Sequence, residues 1–178
     1  MSITTEPTLP SGTWQLDPVH SRAAFSVRHS GIATFRGHFN DVSAKLDDGV
    51  LTGSVAVASV EVAVDKLKGH LMAPDFFDAE QFPEITFTAA DISLVGERAT
   101  VRGELTLRGV TKALEAAGTV SGPATYLDGN ERIAIALETV INRHDFGVSW
   151  NAPLPSGGNA VGDDVTLTVD LELVRPAA

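Results

Sequence analysis

The chain contains no cysteine, which excludes disulfide bonds, thiol nucleophiles and thiolate metal ligands. It has no apolar run near the ~20 residues that a membrane-spanning helix needs. Its first residues carry neither the basic segment nor the apolar stretch of a secretory signal. We therefore expect a cytoplasmic protein that does not span a membrane.

Positive charge is scarce, since 13 Lys and Arg stand against 23 Asp and Glu. The formal net charge of −10 makes nucleic acid an unfavourable partner, because its phosphates would repel the chain. With 178 residues, the chain has the length of one domain. We expect a flexible tail over residues 1–12 and a single folded domain over residues 13–175.

The usual catalytic signatures are also missing. The sequence has no nucleophile elbow, zinc-protease helix, Walker loop or dinucleotide-binding glycine pattern. His20, His29 and His38 recur every nine residues, but an odd spacing puts neighbours on opposite faces of a strand. We therefore expect no enzyme, no cofactor and no metal site.

What the sequence does have is alternation of apolar and polar residues, most regularly over residues 101–107 and 165–173. The pattern predicts eight or nine strands with no helices between them, whereas residues 121–130, rich in Gly, Pro and Asp, are predicted to form a loop. A sheet of this size closes on itself or splits into two layers. We predict an all-β, extended antiparallel eight-stranded barrel, with a β-sandwich as the alternative.

A short helical insertion, at about residues 65–80, interrupts the strands. Leu67 and Leu71 have helical spacing, and Pro74 stops or kinks the helix. Three aromatic residues follow: Phe76, Phe77 and Phe82. They either fill the end of the barrel as core or line the entrance to an apolar pocket. Gly53 and Gly103 lie within strands, and if they face inward, the barrel has room for a ligand.

Two polar segments are candidates for contact with a ligand. Around Pro18, Asp17 either forms an Asx turn with His20 packed nearby, or His20 lies at the mouth of the barrel. Further along, Arg143 follows Asn142. Arg143 either forms an ion pair with Asp145 in a bulge or presents a guanidinium to a phosphate or quinone oxygen.

Six segments in this order resemble the YceI-like family of polyisoprenoid-binding, lipocalin-like proteins, over almost the whole chain from residue 14 to residue 174. They are WQLDPVHSRAAFSVRH (14–29), TFRGHF (34–39), DFFDAEQFPEITF (75–87), GELTLRGVTK (103–112), INRHDFGV (141–148) and VGDDV (161–165). The resemblance implies an extended antiparallel barrel that holds a long isoprenoid chain, with the helical segment near its opening. Many relatives carry a secretory signal and work in the bacterial periplasm, in contrast to the expectation for this chain.

The resulting hypothesis is a protein that binds, stores or transports a polyisoprenoid lipid, such as an isoprenoid quinone or a prenyl phosphate. The predicted ligand-lining residues are Phe25, Val27, Phe35, Phe76, Phe77, Phe87, Leu105, Leu107, Ile133, Ile135, Phe146 and Trp150. The head-group candidates are His20, Asn142 and Arg143. The alternatives are an enzyme that uses His20 or Asp17 as acid or base on such a lipid, and a barrel with a filled core and no ligand. A homodimer is possible if the long strands expose apolar residues on the outer face.

Overall fold

The structure, a computed structural model, describes residues 8–177. Within this range the chain forms one α-helix, α1 (Asp65–Met72), and eleven strands. The strands are β1 (Thr13–Leu16), β2 (Arg22–His29), β3 (Ala33–Phe39), β4 (Val42–Asp47), β5 (Val50–Ala56), β6 (Val60–Glu61), β7 (Glu84–Val95), β8 (Arg98–Leu107), β9 (Val110–Thr125), β10 (Glu131–Asn142) and β11 (Val161–Arg175). Short 3₁₀ helices cover Val57–Ser59 and Arg143–Phe146.

Eight of the strands form a closed antiparallel ring, in the order β1-β4-β5-β7-β8-β9-β10-β11. The ring closes where β1 pairs with β11, with Gln15 opposite Val174 and Leu16 opposite Leu173. Closure leaves no free sheet edge at this end of the barrel, which we call the closed end. The prediction of a closed eight-stranded antiparallel barrel with one helix is confirmed.

The remaining strands continue three strands of the ring beyond local breaks. β1 and β2 both pair with β11, on either side of a break at Pro18, where the backbone has no N–H to donate. In the same way β3 continues the line of β4, since β3 pairs with β2 and β4 pairs with β1. β6 continues the line of β5, since β6 pairs with β3 and β5 pairs with β4. The barrel is therefore long, and its two ends differ.

The end that carries α1, which we call the helix end, has gaps in its wall. β6 pairs with β3 alone among the described strands. β10 leaves β9 after the pair Glu138–Ala117, although β9 continues toward this end as far as Val110. The insertion that contains α1 lies between β6 and β7 in the sequence, and residues from it pack into the helix end.

Apolar residues inside the barrel form two clusters. The cluster at the closed end is tightly packed around Trp14, Leu46 and Leu173, each with 0% of its surface exposed. The cluster at the helix end is rich in aromatic residues and includes Phe25, Phe39, Phe76 and Phe146 among its buried members. The residues that alternate inward along a strand supply both clusters, as period-two patterning requires.

The structure corrects two local predictions. β9 runs through the first half of the predicted loop to Thr125, because a bulge between the partners of Arg132 and Ala134 accommodates the Gly-Pro step without ending the ladder. The helix covers only the first half of the predicted helical insertion: it ends at Met72, just before Pro74, where a stop or kink was predicted, and turns follow.

The predicted N-terminal tail falls mainly on residues 1–7, which lie outside the described residues. Of the rest, Leu9 packs against the cluster at the closed end. Within residues 8–177, no helix has the length and apolar character needed to cross a membrane.

Candidate functional site

A cavity of about 510 Å³ lies inside the helix end of the barrel. Its wall comes from β2, β3, α1 and the turns after it, β7, β8, β10, β11 and the segment that follows β10. Inward-facing residues here, such as Val27, Phe35 and Leu167, remain partly exposed, whereas their counterparts at the closed end are fully buried. The barrel interior is thus filled at one end and open to a guest at the other.

Packed aromatic rings form one side of the cavity. The ring of Phe25 lies 5.8 Å from that of Phe39 and 6.3 Å from that of Phe35. It also meets Phe77 edge-on at 6.2 Å. Gly37 makes this arrangement possible, because a Cβ at that position would lie 2.4 Å from Cζ of Phe25. These rings present an apolar surface of fixed shape.

His70 of α1 connects the insertion to the segment after β10. Its ring makes edge contacts with Phe76 at 4.8 Å and with Trp150 at 4.9 Å. Its Nε2 lies 3.5 Å from Oδ2 of Asp75, a side chain that is mostly exposed. His70, Phe76 and Trp150 all line the cavity, so this cluster forms part of its rim.

Two further contacts hold the insertion in place. The guanidinium of Arg108, in the turn between β8 and β9, donates hydrogen bonds to the carbonyls of Pro74 at 2.5 Å and Phe76 at 2.7 Å. Lys68 of α1 forms an ion pair with Glu61 of β6 at 3.1 Å. The insertion is therefore fixed to the turn between β8 and β9 on one side and to β6 on the other.

Arg143 is buried in the cavity wall, with 3% of its surface exposed. Its guanidinium donates hydrogen bonds to four backbone carbonyls: Nε to Gly162 at 2.8 Å, Nη1 to Val148 at 2.8 Å and Trp150 at 2.9 Å, and Nη2 to Val161 at 3.4 Å. The Arg143–Asp145 ion pair considered from the sequence is absent among the described residues. Burial lowers the pKa of Arg143, because it disfavours the charged form.

Asn142 does not face the cavity. Its side-chain oxygen accepts a hydrogen bond from the backbone N–H of His144 at 2.9 Å, which caps the 3₁₀ helix that starts at Arg143. The residue is exposed. Its side-chain oxygen is engaged in this cap, and Asn142, predicted to contact a head group, is not among the residues that line the cavity.

His20 lies outside the barrel and not at its mouth. Asp17 forms the Asx turn considered from the sequence, accepting a hydrogen bond from the N–H of Val19 at 2.9 Å, and its Oδ2 lies 3.0 Å from Nδ1 of His20. Nη1 of Arg132 donates to Asp17 and to Glu172 at 2.6 Å each. Arg132 and Glu172 alternate with the buried Ile133 and Leu173, which places this network on the outer wall.

The network shifts two pKa values. Bonds from His20, and then from Arg132, lower the pKa of Asp17 to about 2, and the bond to Asp17 raises the pKa of His20. Ligand atoms of Asp17, His20 and Glu172 lie within 4.8 Å of one another, close enough for a metal ion. A cation there would compete with Arg132, whose Nη1 already bonds to both carboxylates.

Eight of the twelve predicted lining residues do line the large cavity. They are Phe25, Val27, Phe35, Phe76, Phe77, Leu105, Leu107 and Trp150. Ile133 and Ile135 lie in the closed-end cluster instead, because β10 begins at that end. Phe146 is buried in the helix-end cluster without lining the cavity.

Phe87 lines a second cavity of about 160 Å³, deeper in the barrel. The two cavities share wall residues, including Phe39, Leu105 and Leu167, and so adjoin each other. Gly53 lines the deeper cavity, and a Cβ there would find only ordinary contacts, the nearest at 3.4 Å. At Gly103 the expected room is absent, since the Phe87 ring and the bulge of β7 occupy it.

Several lining residues were not predicted from the sequence, and the clearest are His29, His70, Ile141, Val165 and Leu167. Alternation could have identified Ile141, Val165 and Leu167, because they continue the inward series of β10 and β11. No sequence signal identified His70, because its position depends on how the insertion folds back.

Comparison with known proteins agrees with this architecture. The family model for the YceI-like domain matches residues 14–173. UPF0312 protein SAS2572 of Staphylococcus aureus (strain MSSA476) is 25% identical over 167 residues, covering 88% of this chain and 94% of that protein.

Two solved structures have the same fold. The Campylobacter jejuni YCEI protein superposes with a TM-score of 0.71 at 28% identity, covering 84% of this chain and 90% of that one. A polyisoprenoid binding domain from Saccharophagus degradans superposes with a TM-score of 0.72 at 18% identity, covering 92% and 98% respectively. The family match spans almost the whole barrel, and the chain therefore belongs to the YceI-like family.

Proposed function

We propose that this protein binds a long-chain polyisoprenoid lipid with the tail inside the barrel, and that it stores or transports that lipid. The observation that carries the proposal is the cavity of about 510 Å³ at the helix end, lined mainly by apolar side chains. Its volume falls within the range of about 300–1,000 Å³ that is usual for small-molecule sites. An apolar cavity of this size is costly to leave empty, which favours an apolar guest.

Burial of the tail supplies the driving force. Each methylene group moved from water into an apolar site contributes about 0.8 kcal/mol before the entropic costs of binding are deducted. The shape of the cavity also suits a flexible chain, because the deeper cavity extends the path beyond Phe39 and Leu105. The Saccharophagus degradans neighbour is described as a polyisoprenoid binding domain, which supports the same ligand class.

The test is native mass spectrometry of the freshly purified protein, followed by organic extraction. A bound mass that is released as a prenyl lipid, such as an isoprenoid quinone or a prenyl phosphate, is the expected result. A clean ligand-free mass that persists after incubation with prenyl lipids would contradict the proposal.

A matched pair of variants locates the lipid. Leu105→Trp enlarges an inward side chain shared by both cavities and is expected to reduce lipid loading several-fold. Glu104→Trp places the same side chain on the exposed outer face of β8 and should leave loading unchanged. Equal loading of the two variants would argue against the barrel interior as the binding site.

The alternatives find less support in the geometry. The proposed acid or base residues, Asp17 and His20, bond to each other on the outer wall, away from the cavity. A ligand-free barrel predicts a filled interior, whereas the helix end encloses open space.

A further inference from the structure

The ionisable residues of the cavity wall are all bases. Arg28, His29, His70 and Arg143 line the large cavity, and no Asp or Glu does so among the described residues. This is the opposite of the whole chain, in which acids outnumber Lys and Arg by 23 to 13. The cavity wall is thus positive in a chain whose net charge is negative, and this favours a ligand with negative charge.

Arg143 contributes most, because it is a buried cation without an ion-pair partner among the described residues. The acid whose charge acts on the pKa of Arg143 is Asp163, which is exposed and bonds to His144 at 2.8 Å. Four carbonyl dipoles solvate the guanidinium but carry no net charge, so the positive potential extends into the cavity. A low-dielectric surrounding strengthens its attraction for an anion.

The other bases lie at the rim. The guanidinium of Arg28 donates to the carbonyl of Gly31 and to Thr34, and it has no carboxylate within 4 Å among the described residues. His29 is exposed beside it. His70, on α1, meets Trp150, and Asp75 is the acid that lies within 4 Å of it among residues 8–177, at 3.5 Å. An anion at the rim would therefore meet imidazole and guanidinium donors with little acidic competition.

We propose that the cavity selects lipids with an anionic head group, a phosphate or a carboxylate, over neutral lipids with the same tail. The inference rests on the proposed function and narrows it, because a prenyl phosphate or another acidic lipid satisfies it and a neutral quinone does not. Arg143 attracts the head group toward the cavity wall, and His29 and His70 supply hydrogen-bond donors at the rim.

The test compares three probes that share one prenyl tail: the alcohol, its monophosphate and the corresponding carboxylic acid. Their dissociation constants are measured at neutral pH by the change in tryptophan fluorescence, since Trp150 lines the cavity. The anions are expected to bind about tenfold more tightly than the alcohol or better, a difference of about 1.4 kcal/mol. A preference for the monophosphate over the acid indicates a prenyl phosphate, and equal binding of the two indicates acidic lipids in general.

Two outcomes separate the two proposals. Equal affinity for the alcohol and both anions would overturn the charge inference and leave lipid binding intact. Binding of none of the three, not even the alcohol, would instead overturn the proposed function.

Variants then assign the preference to residues. Arg143→Gln removes the charge but also four backbone contacts, so the rim residues provide the safer test. The double variant His29→Gln/His70→Gln should lose several-fold of the anion preference, measured as the ratio of the dissociation constant of the alcohol to that of the monophosphate, so that any loss common to both probes cancels. His38→Gln, a histidine outside the cavity wall, is the matched control. An unchanged preference in the double variant would overturn the role of the two imidazoles.

Discussion

At the residue scale, Arg143 shows how one side chain can organise a site. Its four hydrogen bonds join the end of β10 to the start of β11 and to the segment between them. A lysine has no planar fork and could not reach these carbonyls in the same geometry. The residue that orders the cavity wall therefore also places a positive charge in it.

Asp17 carries the clearest dependence on pH. Its pKa is about 2 in the folded protein, against an ordinary value of 3.8, because His20 and Arg132 bond to the ionised form. Stability from this group is present above pH 3.8 and is lost as the pH falls toward 2. The pKa of His20 is raised above 6.5 in the folded protein. Its contribution to stability is therefore fully present below pH 6.5 and is lost as the pH rises through the raised pKa.

We predict that Asp17→Asn lowers the thermal unfolding temperature above pH 4 and flattens its decline below that pH. The measurement is a series of thermal melts from pH 2 to pH 8, with the exposed Asp164→Asn as control. The effect should weaken at high salt, because the network is partly exposed. If the unfolding temperatures of the wild type and Asp17→Asn fell in parallel as the pH is lowered below 4, the pH dependence could not be assigned to Asp17.

At the element scale, the effect of adding a side chain at a glycine within a strand depends on the space around that position. A Cβ at Gly103 would come within 2.4 Å of the carbonyl of Thr88 and 2.7 Å of Cβ of Ala89, at the bulge of β7. At Gly53, the nearest atom is at 3.4 Å. Both residues lie in inward positions of neighbouring parts of the same barrel, which makes them a matched pair.

We predict that Gly103→Ala lowers the free energy of unfolding by about 1–3 kcal/mol, because the bulge must shift to admit the methyl group. Gly53→Ala should raise it by about 0.4–1 kcal/mol, since the unfolded chain loses freedom and no clash results. Urea denaturation of both variants checks the difference. Equal effects would show that β7 and β8 are not packed as described.

The insertion depends on contacts from outside itself. The helix α1 has eight residues, too few to be stable alone in water, so tertiary contacts must hold it. Arg108→Gln removes the bonds to Pro74 and Phe76, and we predict faster amide hydrogen exchange over residues 65–83. Arg102→Gln, on the exposed outer face of β8, should leave this exchange unchanged. Unaltered exchange in Arg108→Gln would show that the aromatic contacts suffice.

The sequence predicted some elements better than others, for physical reasons. Strict alternation identified the strand that ends at Leu107 and the one that ends the barrel, because each has one dry face. Local signals overstated the loop at Gly122 and Pro123, since a bulge absorbs both residues within β9. The positions of His20 and His70 relative to the cavity could not be predicted, because they depend on contacts between segments distant in the sequence.

At the scale of the whole molecule, the two ends of the barrel differ in how well their backbones are paired. We predict that amides of the closed end, such as those of Leu46 and Leu173, exchange with solvent far more slowly than those of the helix end. A bound lipid should slow exchange at the helix end alone. Mass spectrometry of peptides from each end measures the exchange. Equal exchange rates all along β11 in the ligand-free protein would contradict the predicted difference.

The gap between β9 and β10 has a consequence for kinetics. If cargo passes through wall segments that are not joined by hydrogen bonds, its release requires a local rearrangement and not the loss of the closed ring. The residence time of the cargo and the lifetime of the fold are then governed by separate barriers. A protein built in this way can exchange its contents many times while its overall fold persists, and each property can change in evolution without altering the other.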